Sequence, residues 1–223
     1  MPRDTTSASR EDYLKAIWEL VQDEQDPISA RLAEELDVTP PAVTAALKRM
    51  TRDGLLNVAR DGYIRLTRKG RSEAARLALR HQLAEKLLTD VIGLDWTRAH
   101  AAAERLEHGI SPEVEALLLR RFGAESSCPH GLPLRGGLSR LRRSGGVVAL
   151  ADLPAGRTIE IVCVYEKDPQ FLDFLDRRGL RPGARVRLLR REYDETTTLS
   201  VAGKKIYLGK PATSRIWARP VSS

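Results

Sequence analysis

Histidine and glutamate recur at helical spacing in two neighbouring stretches of this 223-residue chain. In Trp96–His108, WTRAHAAAERLEH, the residues His100, Glu104, Glu107 and His108 stand at i, i+4, i+7 and i+8. A helix there would gather two imidazoles and two carboxylates on one face. His81 and Glu85 repeat the i, i+4 pairing in the run before it. Neutral imidazole and carboxylate are both metal ligands, so a face carrying them can hold a divalent cation. Taken singly, Glu85, Glu104 and Glu107 could equally pair with Lys86, Arg98 or Arg105 on a solvated helix. Clustering favours the ligand reading: three of the four histidines lie here, and Ala99, Ala101, Ala102 and Ala103 leave room for a second helix to approach. The fourth, His130, stands with Cys128 in Cys-Pro-His-Gly, which reads as a structural loop because two ligands in a Pro-Gly turn lack partners.

The elements that must position this face begin with Arg10–Gln22, an amphipathic helix with Tyr13, Leu14, Ile17, Trp18, Leu20 and Val21 at helical spacing, Ser9 as its cap and Asp12 in its first turn. After Asp26-Pro27 comes ISARLAEEL, then the turn Asp37-Val38-Thr39, then PPAVTAALKRMTRDG, with Val43, Leu47 and Met50 inward. Two helices joined by a tight turn make a helix-turn-helix. The outward residues Thr39, Pro41, Ala42, Thr44, Ala45 and Lys48 are small or polar and suit close approach to base edges in a major groove. Leu55–Val58 and Tyr63–Thr67 flank the turn Arg60-Asp61-Gly62, a hairpin that specifies a winged helix, with Arg60 and Arg65 as phosphate or minor-groove contacts. Lys69–Val91 then reads as one long helix, followed by Thr97–His108 and by Pro112–Phe122, with Val114, Leu117, Leu118 and Phe122 inward. Surplus apolar residues at Leu87, Leu88, Leu117 and Leu118 point to a helical homodimer interface.

Residues 125–148 turn to Ser, Pro, Gly and Arg and read as a linker. Beyond them, period-two runs at Ile159–Val164, Ala184–Leu189, Thr198–Val201, Lys205–Leu208 and Ile216–Ala218, with a short helix from Pro169, indicate a small barrel. The expected class is therefore α+β: a winged helix-turn-helix DNA-binding domain over 1–73, a helical metal-binding and dimerisation domain over 74–124, the linker, and a barrel over 149–223.

Bulk properties fit a DNA-binding regulator. Net charge is +7, and between Thr39 and Arg71 the basic residues Lys48, Arg49, Arg52, Arg60, Arg65, Arg68, Lys69 and Arg71 stand against only Asp53 and Asp61. No run is long and apolar enough to span a membrane, and MPRDTTSASRED carries no leader core, so a cytoplasmic location is expected. Two cysteines, Cys128 and Cys163, are too few for a disulfide framework or a four-thiolate zinc site.

Taken together, EDYLKAIWEL, MTRDGLL, RHQLAEKLLTDVIGLD and AHAAAERLEHGIS resemble the diphtheria-toxin-repressor family of metal-dependent transcriptional regulators, and the region around GLRPGARV resembles the SH3-like barrel shared with ferrous-iron transport accessory proteins. The resemblance covers nearly the whole chain. It implies a primary, regulatory metal site at Asp12, Glu104, Glu107 and His108. It implies an ancillary site at His81, Glu85 and His100, completed from the barrel by Glu166, with Asp168 and Gln170 as further candidates. The iron-sensing branch places Met and Cys where Asp12 and Glu104 stand; the manganese-sensing branch carries Asp and Glu. Replacing sulfur by carboxylate hardens the site, which points to Mn2+ while leaving Fe2+ open. Lys15 departs from the shorter manganese sensors, which carry a Glu ligand there, so their two-metal arrangement is not expected.

The implied protein is a homodimeric repressor of metal-uptake genes that binds a double-stranded operator when metal fixes the first helix to the helix bearing Glu104, Glu107 and His108. Besides an Fe2+-responsive repressor, the alternatives are a winged-helix regulator answering to an organic ligand and a nucleoid-type binder without sequence preference. A metallohydrolase is the rival from another class, since such sites can activate water. No substrate-binding element or acid/base set accompanies the ligands, so no enzyme is expected.

Overall fold

The computed structural model describes residues 9–143 and 146–221. Residues 1–8, most of the segment inspected for a leader, lie outside them, as do Ser144 and Gly145 of the stretch read as a linker and the last two residues of the barrel region. The chain forms two compact units, Met1–Arg80 and His81–Ser223.

The N-terminal unit begins with α1 (Arg10–Gln22), which opens on a capping box: Asp12 N–H donates to Ser9 Oγ at 3.2 Å and Ser9 N–H to Asp12 Oδ2 at 2.7 Å. α2 (Ser29–Leu36) ends at Asp37 in the left-handed region, φ 51°, which redirects the chain into α3 (Pro40–Arg52). Thr39 occupies the position before α3, but its side chain makes no capping bond; Pro40 and Pro41 need no donor partner in the first turn. β1 (Leu56–Val58) and β2 (Ile64–Leu66) pair antiparallel as the wing, and Ile64 N–H donates to Pro27 O at 2.8 Å. Leu14, Ile17, Leu32, Val43, Leu47, Met50, Leu55 and Ile64 share one core, each large side chain contributing about 1.5–3 kcal/mol by leaving water. Val21, which the helical spacing placed among the apolar positions of α1, is exposed.

α4 (Arg68–Lys86) leads into the C-terminal unit. It does not run unbroken to Val91: Leu87–Val91 is a π-helical turn, with Ile92 N–H reaching back to Leu87 O at 3.1 Å. Thr89 Oγ1 donates to Glu85 O at 3.0 Å, supplying a side-chain partner to a helical carbonyl. α5 spans Trp96–Leu106, and the chain then tightens into a 3₁₀ turn over Glu107–Gly109. α6 (Pro112–Phe122) buries Leu118, whereas Val114 and Leu117 are exposed rather than inward, so this apolar face is uncovered in the single chain.

The stretch read as a linker is largely built into this unit. Ser127 bridges Pro133, Cys128, His130, Leu134 and Leu138 are buried, and α7 spans Gly137–Arg143. An antiparallel sheet follows in the order β3-β8-β4-β5-β6-β7, comprising β3 (Val148–Ala149), β4 (Arg157–Val164), β5 (Arg185–Arg191), β6 (Thr197–Val201), β7 (Lys204–Leu208) and β8 (Ile216–Pro220). β3 is too short for a period-two pattern to reveal. Register shifts at Ile161/Cys163 and Leu188/Arg190 bend the sheet, and α8 (Pro169–Asp176) and the short α9 (Lys210–Thr213) accompany it.

Two contacts tie the helices to the sheet. Trp96 joins the sheet core, and its Nε1–H donates to Asp176 Oδ1 at 2.8 Å. Hydrogen bonds from Arg181 and then from Trp96 hold the Asp176 carboxyl below the usual carboxylate range. The Cys-Pro-His-Gly loop is pressed onto β4: Val164 N–H donates to His130 O at 3.0 Å, and a Cβ at Gly131, φ 91°, would stand 1.9 Å from Val162 O.

Because the folded Asp176 carboxyl titrates below its unfolded counterpart, near 3.9, its stabilisation is complete above that pH and is lost as pH falls through the lowered value. Asp176→Ala should reduce unfolding free energy by about 1–3 kcal/mol at neutral pH and flatten the acid limb below roughly pH 4, measured by urea unfolding across pH. Gly131→Ala should cost about 1–3 kcal/mol, read as a fall in Tm by calorimetry; an unchanged Tm would mean that the loop does not lie against Val162.

Candidate metal centre and nucleic-acid interface

Three elements converge in the C-terminal unit. α4 presents His81 and, one turn on, Glu85; α5 presents His100; the chain leaving β4 presents Glu166. His81, Glu85 and His100 are buried and the Glu166 side chain is 12% exposed. One ligand atom from each lies within 4.8 Å of the others. His81 Nε2 stands 3.2 Å from Glu85 Oε1 and 2.9 Å from His100 Nδ1, and His100 Nδ1 stands 3.7 Å from Glu166 Oε1. His81 Nδ1 is held by Glu107 Oε2, the carboxylate contact that orients a metal-binding imidazole through its other nitrogen. Glu85 Oε2 is buried with no hydrogen-bond partner. Two imidazoles, two carboxylates and an orphaned anionic oxygen suit a divalent cation.

A second group shares two of these residues: Glu85, Cys128, His130 and Glu166 also bring ligand atoms within 4.8 Å of one another. The sequence reading set Cys128 and His130 aside as a loop without partners. The fold supplies partners, because it lays the loop along β4 and so turns His130 towards Glu85 and Glu166. Burial alone would raise the Glu85 pKa, but the charges of His130 and His81 outweigh it and hold the carboxyl well below its ordinary value. Burial would lower that of His130, yet Glu85 foremost drives it far upward. Burial and then the Glu85 and Glu166 carboxylates push the Cys128 thiol well up. These side chains thus form a pocket with two carboxylates, an imidazole and a thiol.

The other predicted ligands are placed differently. Glu104, whose side chain is 50% exposed, has Oε1 3.7 Å from His100 Nε2. The helix gives way to the 3₁₀ turn just where the spacing counted on another helical step, so Glu107 is buried while His108 is not, with 3.8 Å between Glu107 Oε1 and His108 Nε2. Among the described residues, the groups of three or more donors that come together are the two containing Glu85. Asp12 belongs to the N-terminal unit, where its carboxylate completes the α1 capping box. Asp168 caps α8 and pairs with Arg215 at 2.9 Å, and Gln170 is exposed.

In the N-terminal unit, Thr39, Pro41, Ala42, Thr44, Ala45 and Lys48 are exposed along α3. A groove beside them is lined by Thr44, Ala45, Lys48, Arg49, Arg52 and Val58. Arg60 is exposed in the turn of the wing, and Arg65, also exposed, lies 3.6 Å from Asp61. Small side chains flanked by unburied cations make a surface able to approach a polyanion closely.

Comparisons with known proteins agree along the chain. Residues 5–64 match the N-terminal DNA-binding domain of iron-dependent repressors, residues 67–134 their metal-binding and dimerisation domain, and residues 148–220 the FeoA domain. The iron-dependent repressor IdeR of Mycobacterium tuberculosis is 38% identical over 185 residues, covering 78% of this chain and 80% of that protein. The diphtheria toxin repressor of Corynebacterium diphtheriae is 38% identical over 206 residues, covering 88% and 90%. Among solved structures, a manganese-dependent transcriptional repressor in complex with manganese aligns with TM-score 0.84 at 28% identity over 96% of this chain and all of that one. T. acidophilum IdeR aligns with TM-score 0.77 at 28% identity over 97% of this chain and all of that one. With a winged helix, a helical metal-binding and dimerisation region and an SH3-like FeoA domain in that order, the chain belongs to the iron-dependent repressor family: it is a metal-dependent transcriptional repressor and not an enzyme.

Proposed function

We propose that this repressor responds to Mn2+ and, as a homodimer, occupies operators of metal-uptake genes. The observation that carries the choice of metal is the residue type at Asp12 and Glu104. Both are carboxylates, so the regulatory set Asp12, Glu104, Glu107 and His108 contains no sulfur and favours a hard cation. His81, Glu85, His100 and Glu166 would hold an ancillary ion, with Glu107 orienting His81 and burial excluding water. Exposed Val91, Ile92, Val114 and Leu117 support pairing through the helical region. α3 would enter the major groove through Thr44, Ala45 and Lys48, with Arg60 and Arg65 on the backbone. An Fe2+-responsive repressor is the second reading, favoured by the 38% identity to the iron-dependent and diphtheria toxin repressors.

Binding to DNA upstream of its own and neighbouring transporter genes should tighten on the order of tenfold or more with Mn2+ over chelator, measured by fluorescence anisotropy. Glu104→Ala, at a half-exposed position, should abolish that gain without altering the fold. Equal binding with chelator would refute the metal-response reading, and a gain confined to Fe2+ would select the iron alternative. Arg60→Ala should weaken all DNA sequences alike and reduce the slope of log affinity against log salt by about one.

A further inference from the structure

The geometry points to a second metal position in the C-terminal unit, formed by Glu85, Cys128, His130 and Glu166 and joined to the His81–His100 position through the two shared carboxylates, with a donor set suited to Fe2+, Co2+ or Zn2+ rather than Mn2+. The inference rests on the neighbouring His81, Glu85, His100 and Glu166 group being a metal site and adds a position with donors of its own.

Glu166 carries the first part of the argument. Its Oε1 faces His100 Nδ1 at 3.7 Å, whereas its Oε2 faces the loop, 3.4 Å from His130 Nδ1 and 3.9 Å from Cys128 Sγ. A carboxylate whose oxygens address two different donor groups is placed to bridge two ions, and bridged pairs stand about 3.5–4 Å apart. Glu85 reaches the same groups from the other side, with Oε1 3.2 Å from both His81 Nε2 and His130 Nδ1.

His130 carries the second part. It is fully buried, and its Nε2 donates to the Trp96 carbonyl at 3.0 Å, which leaves Nδ1 as the nitrogen aimed at the carboxylates. Anchoring one ring nitrogen on a backbone carbonyl is how metal-binding imidazoles are oriented. Nδ1 makes no hydrogen bond although carboxylate oxygens of Glu85 and Glu166 stand 3.2 and 3.4 Å from it, and the other Glu85 oxygen, Oε2, is buried without a hydrogen-bond partner. A cation there would satisfy both. Cys128, 4% exposed, adds a sulfur donor, and thiolate with imidazole selects borderline divalent ions over hard ones.

The test uses full-length apo-protein with Co2+ as the probe, read by near-ultraviolet thiolate-to-cobalt charge-transfer absorption and by atomic emission after desalting. Wild type should develop the band and retain one ion per chain more than Cys128→Ser or His130→Gln, with far-ultraviolet circular dichroism confirming that each variant is folded. Cys128→Ser changes a single atom and decides the matter if His130→Gln does not fold. Zn2+ should displace the band stoichiometrically while Mn2+ leaves it; equal displacement by both would overturn the metal preference. A wild type without the band and with the same ion count as the variants overturns the second position while metal-dependent operator binding stands. A band that survives Cys128→Ser also overturns it, because the thiolate would then be Cys163. No cobalt uptake together with metal-indifferent operator binding brings down the underlying metal-site reading as well.

Discussion

A carboxylate taken wholly out of water is among the costliest groups a fold can contain, and Glu85 is such a group. Its charge is tolerable because imidazoles reach it from three directions: His81 from its own helix, His100 from the next, and His130 from the loop lying on the sheet. Each contact requires a separate piece of the C-terminal unit to be in place. The buried carboxylate therefore makes the helical region, the Pro-Gly-rich stretch and the barrel answer to a single electrostatic condition. Removing one partner from such a group leaves uncompensated charge, whereas apolar contacts fail more gradually.

The steric framework serves the same point. Gly131 lets the chain come within touching distance of β4, the His130 carbonyl joins that strand, and Trp96 holds both the His130 ring and the α8 carboxylate of Asp176. None of these contacts involves regular pairing of neighbouring elements. They are tertiary closures between segments far apart in sequence, and they turn a stretch with the composition of a connector into a wall of the site.

That distinction explains what could be read from the chain beforehand. The winged helix was legible because each of its parts has a local signature: the apolar stripe of α1, prolines in the first turn of α3, and Arg60-Asp61-Gly62 between two short strands. His81, Glu85 and His100 were legible from helical spacing, and Glu166 only through the family resemblance. Cys128 and His130 were not, since Pro and Gly beside them signal a turn and no periodicity reports what that turn is pressed against. Helical spacing did not foretell that Glu107 is buried against His81 while His108 is not, because α5 ends at Leu106 and a 3₁₀ turn carries both residues.

The indole of Trp96 gives the protein a built-in optical reporter. Its ring centroid lies 5.7 Å from that of His130, its N–H is fixed to Asp176, and the Arg181 guanidinium sits 5.4 Å from the ring centroid. An excited indole is sensitive to the charge of whatever adjoins it, so the emission of this one residue registers the ionic state of the pocket without any label.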